Sequence, residues 1–241
     1  MAVVWPAFLL AGIAGFIDAL GYLELSQVFT AHMSGNSAAV GAHLGEGDWH
    51  NAMVHGLAIP AFIFGAAIGV MVERAANRKR ARGRLAPAYA LEMLLLIAFM
   101  TLSEVHPRPP LAPGSPKFFV LVWLLAVAMG LQSATLRRAG GMRVRTTFVS
   151  GMLTNMTEEG TLYLVELWER WRGGPSEKGR ESLGRRAAEF GLIFGCFLVG
   201  GIGGGFGEAR WGSWALVVPL AGLVVAVAND WVSRSGGGAE R

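Results

Sequence analysis

Two short polar stretches share a pattern that could bind a ligand. Both "TAHMSGN" at 30–36 and "TTFVSGMLTN" at 146–155 contain Thr-x-x-x-Ser-Gly. A Ser-Gly pair at a chain break can begin a helix, with the serine as N-cap. The free N–H groups of a helix N-terminus then suit an anion or a carbonyl oxygen. Alternatively, these polar groups only satisfy a broken backbone and pack two halves of the protein together.

If two such breaks face each other near the middle of a membrane, they frame a single binding site. Hydroxyl and amide side chains would supply its hydrogen bonds: Thr30, Ser34, Asn36, Thr146, Thr147, Ser150, Thr154 and Asn155.

Three ionisable residues extend this hypothesis. Asp18 is the only acid inside the first apolar run, where a charge is costly and usually functional. We expect it to bind a proton or a sodium ion, or else to pair with Arg137 or Arg138. His32 could relay protons near neutral pH, or only hydrogen-bond a neighbour. Glu92 is predicted to pair with the basic 74–84 loop.

Enzyme chemistry is not indicated. A nucleophilic serine needs a base within reach, and the five histidines, His32, His43, His50, His55 and His106, all lie in the first half. Neither Ser-Gly stretch has the G-x-S-G form. No Cys/His cluster predicts a metal site, and "GGIGGGFG" at 200–207 lies in an apolar run, which favours helix packing over nucleotide binding. We therefore predict no catalytic residues, no metal and no cofactor.

Composition predicts the elements that must position these residues. The chain has 241 residues, 53% hydrophobic and 16% charged, well below the roughly 25% charge of soluble proteins. This is typical of an all-α integral membrane protein, because in lipid a helix satisfies its own backbone. Eight apolar or semi-apolar segments are predicted: 5–25, 28–45, 52–73, 86–105, 117–137, 144–168, 186–207 and 211–232.

The two halves of the chain repeat. "GFIDA" at 15–19 precedes the first Ser-Gly stretch, and "GLQSA" at 130–134 precedes the second. Gly65, Gly69 and Glu73 likewise match Gly200, Gly204 and Glu208 in order and spacing. We interpret residues 1–241 as one membrane domain, with repeat 1 at about 5–105 and repeat 2 at about 117–233. The repeated glycines are predicted to pack helices closely.

Basic loops predict the orientation, because Lys and Arg prefer the cytoplasmic side. If all eight segments crossed, the basic loops at 74–84 and 169–186 would lie on opposite sides. The conflict disappears if 28–45 and 144–168 are re-entrant or broken segments. The chain then has two inverted repeats of three transmembrane helices, in the cell (inner) membrane, with both termini and the 74–84 loop cytoplasmic.

These motifs resemble the YoaK-like, or DUF1275, family of bacterial multi-pass membrane proteins, over about residues 8–232. The residues that match its pattern are Asp18, Gly35, Asn36, Gly130, Gln132 and Gly151. Ser34 and Ser150 stand where the family often has Thr, and Ser133 where Asn is usual. The resemblance adds Gly35, Gln132 and Gly151 to the predicted site. It implies a membrane protein of no established activity.

The sequence thus predicts a small-molecule or ion transporter of unknown substrate, with a polar site near the bilayer midplane between the repeats. The alternative is a non-transporting membrane scaffold or partner subunit. For the protein as a whole, we expect contact with the lipid bilayer and with an unknown small molecule or ion. A homo-oligomer is possible, and binding of nucleic acid is not expected.

Overall fold

The computed structural model describes residues 5–78, 85–104, 112–135, 149–172 and 180–235, and this part of the chain is helical without strands. Its elements are α1 (Trp5–Glu24), α2 (Met33–Gly45), α3 (Trp49–Gly56), α4 (Ala58–Arg78), α5 (Ala86–Glu104), α6 (Pro116–Thr135), α7 (Val149–Trp171), α8 (Arg180–Trp211), a 3-10 turn (Gly212–Leu216) and α9 (Val217–Ser235). The expectation of an all-helical protein is confirmed.

Within these residues, five stretches are long and apolar enough to cross a membrane: Trp5–Glu24, Trp49–Ala76, Ala86–Glu104, Pro116–Thr135 and Leu183–Trp231. The last stretch, of 49 residues, contains most of both α8 and α9. Neither α2 nor α7 falls within a candidate span, in keeping with the polar residues of 28–45 and 144–168.

The distribution of side chains suits a lipid surrounding. Large apolar residues such as Leu94, Val199 and Ile202 face outward. Polar residues such as Thr30 and Asn36 are completely buried. In water the exposed apolar surface would be unfavourable, because it costs free energy to hydrate.

Helices α1 and α8 cross in direct backbone contact and run in the same direction. A Cβ atom added to Gly200 would lie 2.0 Å from the carbonyl oxygen of Gly12, and one added to Gly204 would lie 2.2 Å from that of Phe16. Later positions of α8 therefore meet later positions of α1. Such an approach requires glycine, because any side chain would overlap the neighbouring backbone.

Helices α4 and α6 repeat this arrangement. A Cβ atom on Gly65 would lie 2.1 Å from the carbonyl oxygen of Val127, and one on Gly69 would lie 2.9 Å from that of Leu131. These two helices are also parallel. The glycines that match in sequence thus make matching contacts, which agrees with their predicted packing role.

One end of the bundle, called here the first end, gathers the ends of α1 and α5 and the start of α6. The Ser103 hydroxyl donates to the Glu24 carboxylate, and Lys117 Nζ donates to the Ser103 carbonyl at 3.2 Å. The Ser213 hydroxyl, in the turn before α9, donates to Glu104 at 2.8 Å. Helices α1 and α6 therefore run in opposite directions.

The opposite end of the bundle, the second end, holds the start of α5 and the end of α9. There the Leu85 N–H donates to Asp230 Oδ2 at 3.1 Å. Since α4 runs parallel to α6, it also leads from the first end to the second.

Helix α7 packs antiparallel to α8 and does not follow its whole length. Met152 packs on Ile193 near the middle of α8, whereas a Cβ atom on Gly184, near the start of α8, would lie 3.1 Å from Tyr163. The described part of α7 therefore begins beside the middle of α8 and ends near the second end. Helix α2 starts in a comparable way, beside Phe197 of α8, and leads toward the first end through α3.

We predict that Gly130→Ala lowers the thermal stability of the purified protein. The new Cβ atom would lie 2.1 Å from the carbonyl oxygen of Phe62, so α4 and α6 must separate. The cost should reach at least the ~1–3 kcal/mol typical of an overpacked core. Gly41→Ala is the matched control, because no atom lies within 4 Å of its added Cβ. An equal melting temperature for both variants would contradict the close crossing.

Candidate functional site

Asp18 is the centre of the polar cluster. It lies in the second half of α1, with only 4% of its surface exposed. Its Oδ1 accepts hydrogen bonds from the Thr30 N–H at 2.9 Å, the Thr30 hydroxyl at 3.1 Å and the Ala31 N–H at 2.7 Å. Its Oδ2 lies 2.5 Å from His32 Nδ1. One carboxylate therefore satisfies two backbone donors of the segment before α2.

Asn36 fixes the same segment from the other side. Its side-chain oxygen accepts from the Phe29 N–H at 3.0 Å, and its Nδ2 donates to the Phe29 carbonyl at 2.7 Å. Together Asp18 and Asn36 replace the hydrogen bonds that a regular helix would have given residues 29–31. Backbone without such partners is not tolerated inside a membrane protein.

The chain reaches this position by a sharp reversal after α1. Ser26 and Gln27 have φ angles of 51° and 66°, in the left-handed region that non-glycine residues seldom adopt. Each such residue costs roughly 1–2 kcal/mol. The Gln27 N–H donates to the Tyr22 carbonyl at 2.9 Å, which holds the turn against α1. The sequence predicts a segment over 28–45, but its helix begins only at Met33, because the preceding residues fold back toward Asp18.

Ser34 does not cap α2, contrary to the role that the sequence suggests for it. The N-cap position is His32, and it makes no side-chain capping bond. Ser34 is the second residue of the helix, where its hydroxyl is partly exposed. In the first turn of α2, the Gly35 N–H donates to the His32 carbonyl at 3.0 Å, while Asp18 and Asn36 bind the N–H groups of residues 29–31 that precede the helix.

His32 joins this cluster to an adjoining cleft. Its hydrogen bond to the Asp18 carboxylate raises the pKa of the imidazole, an effect that outweighs the opposing desolvation by burial. The ring meets Phe29 and Phe197 edge-on, with centroids 5.7 Å and 5.5 Å away. A raised pKa favours the protonated ring, in which both nitrogens are donors.

The cleft has a volume of about 480 Å³ and lies between α1, the start of α2 and α8. Its walls combine aromatic rings with a few polar groups and small residues: Gly15, Asp18, Ala19, Tyr22, Leu23, Phe29, His32, Ser34, Gly35, Phe197 and Gly201. Both the size and the mixture are typical of small-molecule sites.

The structure brings together the first-half residues of the predicted site. Asp18 is hydrogen-bonded to Thr30 and His32, the Asn36 side chain binds the neighbouring Phe29 backbone, and Ser34 and Gly35 line the adjoining cleft. Thr30 and Asn36 are completely buried and hold the backbone rather than facing the cleft.

The second-half residues are not brought to this cleft. Ser150, Thr154 and Asn155 are exposed on α7, where the Thr154 hydroxyl donates to the Ser150 carbonyl at 3.0 Å. The side of α7 that packs on α8 carries Met152 instead, which leaves the polar residues outside, and the neighbouring Gly151 is only half-buried. Thr146 and Thr147 lie outside the described residues.

Gln132 lies in α6, away from the cleft lining, and is completely buried. Neither its amide nitrogen nor its amide oxygen has a hydrogen-bond partner in the part of the chain that the structure describes.

Sequence reasoning missed the contribution of α8 to the cleft. Phe197 and Gly201 come from the second half of the chain, yet they form one wall beside His32. The repeat offered a signal, because Gly15 matches Gly130 in sequence. A Cβ atom added to Gly15 would meet the Phe197 carbonyl, and one added to Gly130 would meet the Phe62 carbonyl, at the equivalent position of the partner helix.

We predict that Asp18→Asn changes the pH dependence of stability. The Asp18 carboxylate raises the pKa of the His32 imidazole in the folded protein. The interaction between these two side chains therefore stabilises the fold fully below the pKa of His32 in the unfolded chain, about 6.5, and this stabilisation is lost as the pH rises through the pKa of His32 in the folded protein. The wild type should therefore lose thermal stability above about pH 6.5 relative to Asp18→Asn. Parallel melting curves of the two proteins would refute the Asp18–His32 coupling.

Comparison with known proteins agrees with the resemblance seen in the motifs. A family model described as "Protein of unknown function (DUF1275)" matches residues 6–229. The chain is similar to the UPF0700 transmembrane protein YoaK of Bacillus subtilis (strain 168), with 28% identity over 146 residues. This match covers 61% of the chain and 62% of that relative's length.

No solved structure matches the chain. The family model, by contrast, extends over nearly all of the helices described above, including the returning segment around Asp18 and both glycine-lined crossings. The chain therefore belongs to the DUF1275 family of membrane proteins.

Proposed function

We propose that the protein is a transporter of a small molecule or ion, and that the cleft beside His32 binds the substrate. The observation that carries this proposal is the broken chain before α2, which Asp18 and Asn36 hold inside the bundle next to a cleft. Irregular backbone at membrane depth is typical of sites that line a cavity. In transporters such breaks provide the groups that bind substrate.

We further propose that the two halves form an inverted repeat, and the helix contacts support this. Helices α1 and α6, which carry the matching "GFIDA" and "GLQSA" motifs, run in opposite directions. Each packs through glycine on the long helix of the other half: α1 on α8, and α6 on α4. Helices α2 and α7 both begin partway along the bundle. This is the plan expected of two halves related by a two-fold axis in the membrane plane.

The ends of the bundle differ in charge. Arg74 and Arg78 near the end of α4, and Arg185 and Arg186 near the start of α8, all belong to the second end. The acidic stretch at 45–51 follows α2 and belongs to the first end. We therefore propose that the second end, which holds the start of α1 and the end of α9, is the cytoplasmic one.

The polar part of the cleft contains the Asp18 carboxylate, which already accepts hydrogen bonds from Thr30 and Ala31 and contacts His32, and two hydrogen-bond donors. His32 Nε2 has no hydrogen-bond partner among the described residues, and in the protonated ring it donates. The Ser34 hydroxyl lines the same space. The aromatic rings of Tyr22, Phe29 and Phe197 form apolar walls. Such a cleft suits a small molecule that has a carboxylate or carbonyl acceptor and an apolar body.

A thermal-shift screen of the purified protein with small carboxylates tests this function. A ligand at 100 times its Kd should stabilise the native state by ~2.7 kcal/mol. His32→Gln should lose this shift, since the substituted amide cannot carry the positive charge. Ser37→Ala is the control, because Ser37 is exposed and its hydroxyl donates only to the Met33 carbonyl.

A ligand that stabilises His32→Gln as strongly as the wild type would place the site elsewhere. Ligands identified by the screen are then tested for uptake into proteoliposomes. Binding without uptake would favour the alternative of a scaffold or partner subunit.

We predict that reporters fused after residue 48 and after residue 178 lie on opposite sides of the membrane. The first position follows α2 at the first end, and the second precedes α8 at the second end. Compartment-specific reporter activity in intact cells measures this directly. If both reporters gave the same side, the inverted arrangement of the halves would be wrong.

A further inference from the structure

Glu92 is a buried acid that the cleft does not use. It lies in the first half of α5, and none of its surface is exposed. Neither carboxyl oxygen has a hydrogen-bond partner among the residues that the structure describes. The sequence predicts that it pairs with the 74–84 loop. No such pair is formed with Arg74 or Arg78, and residues 79–84 lie outside the described part of the chain.

The described ionisable groups associated with this part of α5 are Tyr89 and Asp230. Tyr89 precedes it by three residues on the same face of α5 and is 2% exposed. Asp230 of α9, which accepts the Leu85 N–H, lies within electrostatic reach of Tyr89, as does Glu92. The ionisable groups that the structure associates with Tyr89 are therefore both acids, and neither supplies a positive charge to this part of α5.

In the described residues, none of the other helices that pack on α5 forms an ion pair with Glu92. Between residues 118 and 135, α6 has no charged side chain, and its buried polar residues are Gln132 and Thr135. The charged groups of α4 near the second end are Glu73, Arg74 and Arg78. The turn before α9 contributes only the uncharged Ser213, at the other end of α5.

A bare carboxylate in such a place is very costly, because it is fully buried and no cation among the described residues pairs with it. A protonated carboxyl group is neutral and costs far less. A leucine or glutamine would also be neutral, but neither can release a proton. From this geometry we propose that Glu92 is a proton-binding site, and that its carboxyl group carries a proton in the conformation described here.

Release of this proton requires access to water. In that step the O–H bond of Glu92 breaks, the electron pair stays on the carboxylate, and the proton passes to a water molecule. The second end, where Leu85 meets Asp230, is the nearest place at which separation of α5 from α9 would admit water. These helices are the last of each proposed repeat. A role of Glu92 in coupling substrate movement to proton movement rests on the proposed transport function. The proposal that Glu92 holds a proton does not depend on that function.

Infrared spectroscopy of the purified protein near neutral pH tests the bound proton. The wild type should show a C=O stretching band of a protonated carboxyl group, and this band should be lost in Glu92→Gln. Glu92→Asp should shift the band rather than remove it. Glu104→Gln is the matched control on the same helix: Glu104 is exposed and accepts from Ser213, so its substitution should leave the band unchanged. Identical spectra for the wild type and Glu92→Gln would overturn the proposal.

Thermal unfolding gives an independent measurement. If the folded protein holds the proton and the unfolded chain releases it, the wild type must lose stability relative to Glu92→Gln as the pH rises from about 5 to about 8. The opposite result, a stability difference between the two proteins that stays constant from about pH 5 to about pH 8, would mean that Glu92 releases no proton on unfolding and is already ionised in the folded protein. Failure of transport assays would leave both measurements intact, so the two proposals fail separately.

Discussion

The Asp18 carboxylate is the interaction on which the candidate site depends. It binds the N–H groups of Thr30 and Ala31 and one ring nitrogen of His32, so the chain can leave a helical path inside the bundle. Two hydrogen bonds of this charge-assisted kind are worth roughly 1.5–3 kcal/mol each. They offset the strain of the left-handed residues Ser26 and Gln27. Without the carboxylate, the segment before α2 would expose unsatisfied backbone where water is scarce.

The same interaction explains why a polar stretch can follow an apolar helix. Its buried members, Thr30 and Asn36, face the protein interior and hold the backbone. Its partly exposed members, His32 and Ser34, face the cleft. Polar residues between two apolar runs therefore serve two purposes, one structural and one available for binding. The division between them depends on which side of the segment meets α1.

Glycine contacts determine where the cleft can form. Because Gly200 and Gly204 let α8 touch the backbone of α1, Phe197 and Gly201 are brought beside His32. The equivalent contact of α4 with α6 lacks this environment, since Ser133 occupies the position that matches Asp18. In the described residues the two halves are therefore similar in packing and different in polar chemistry. Asp18 of the first half thus corresponds to the uncharged Ser133 of the second half.

Hydrophobicity and repeated motifs were sufficient to predict the all-helical class, the position of the long helices and the packing role of the glycines. These features depend on local composition and on a spacing that recurs along the chain. Sequence also singled out Asp18, His32 and Asn36, because polar groups stand out in an apolar run. Only the tertiary structure decided what they contact. Asp18 meets residues 30–32 through a reversal at Ser26 and Gln27 that no pattern signals.

Tertiary packing also separated Ser150, Thr154 and Asn155 from the cleft, although their motif matches the first-half stretch. The reason is that a motif specifies which groups can hydrogen-bond, whereas the face that a helix turns toward its neighbour depends on long-range contacts such as Met152 with Ile193. The lack of a partner for Glu92 is likewise a property of the assembled helices. Its burial depends on how α5, α6 and α9 meet, and no short stretch of sequence contains that information.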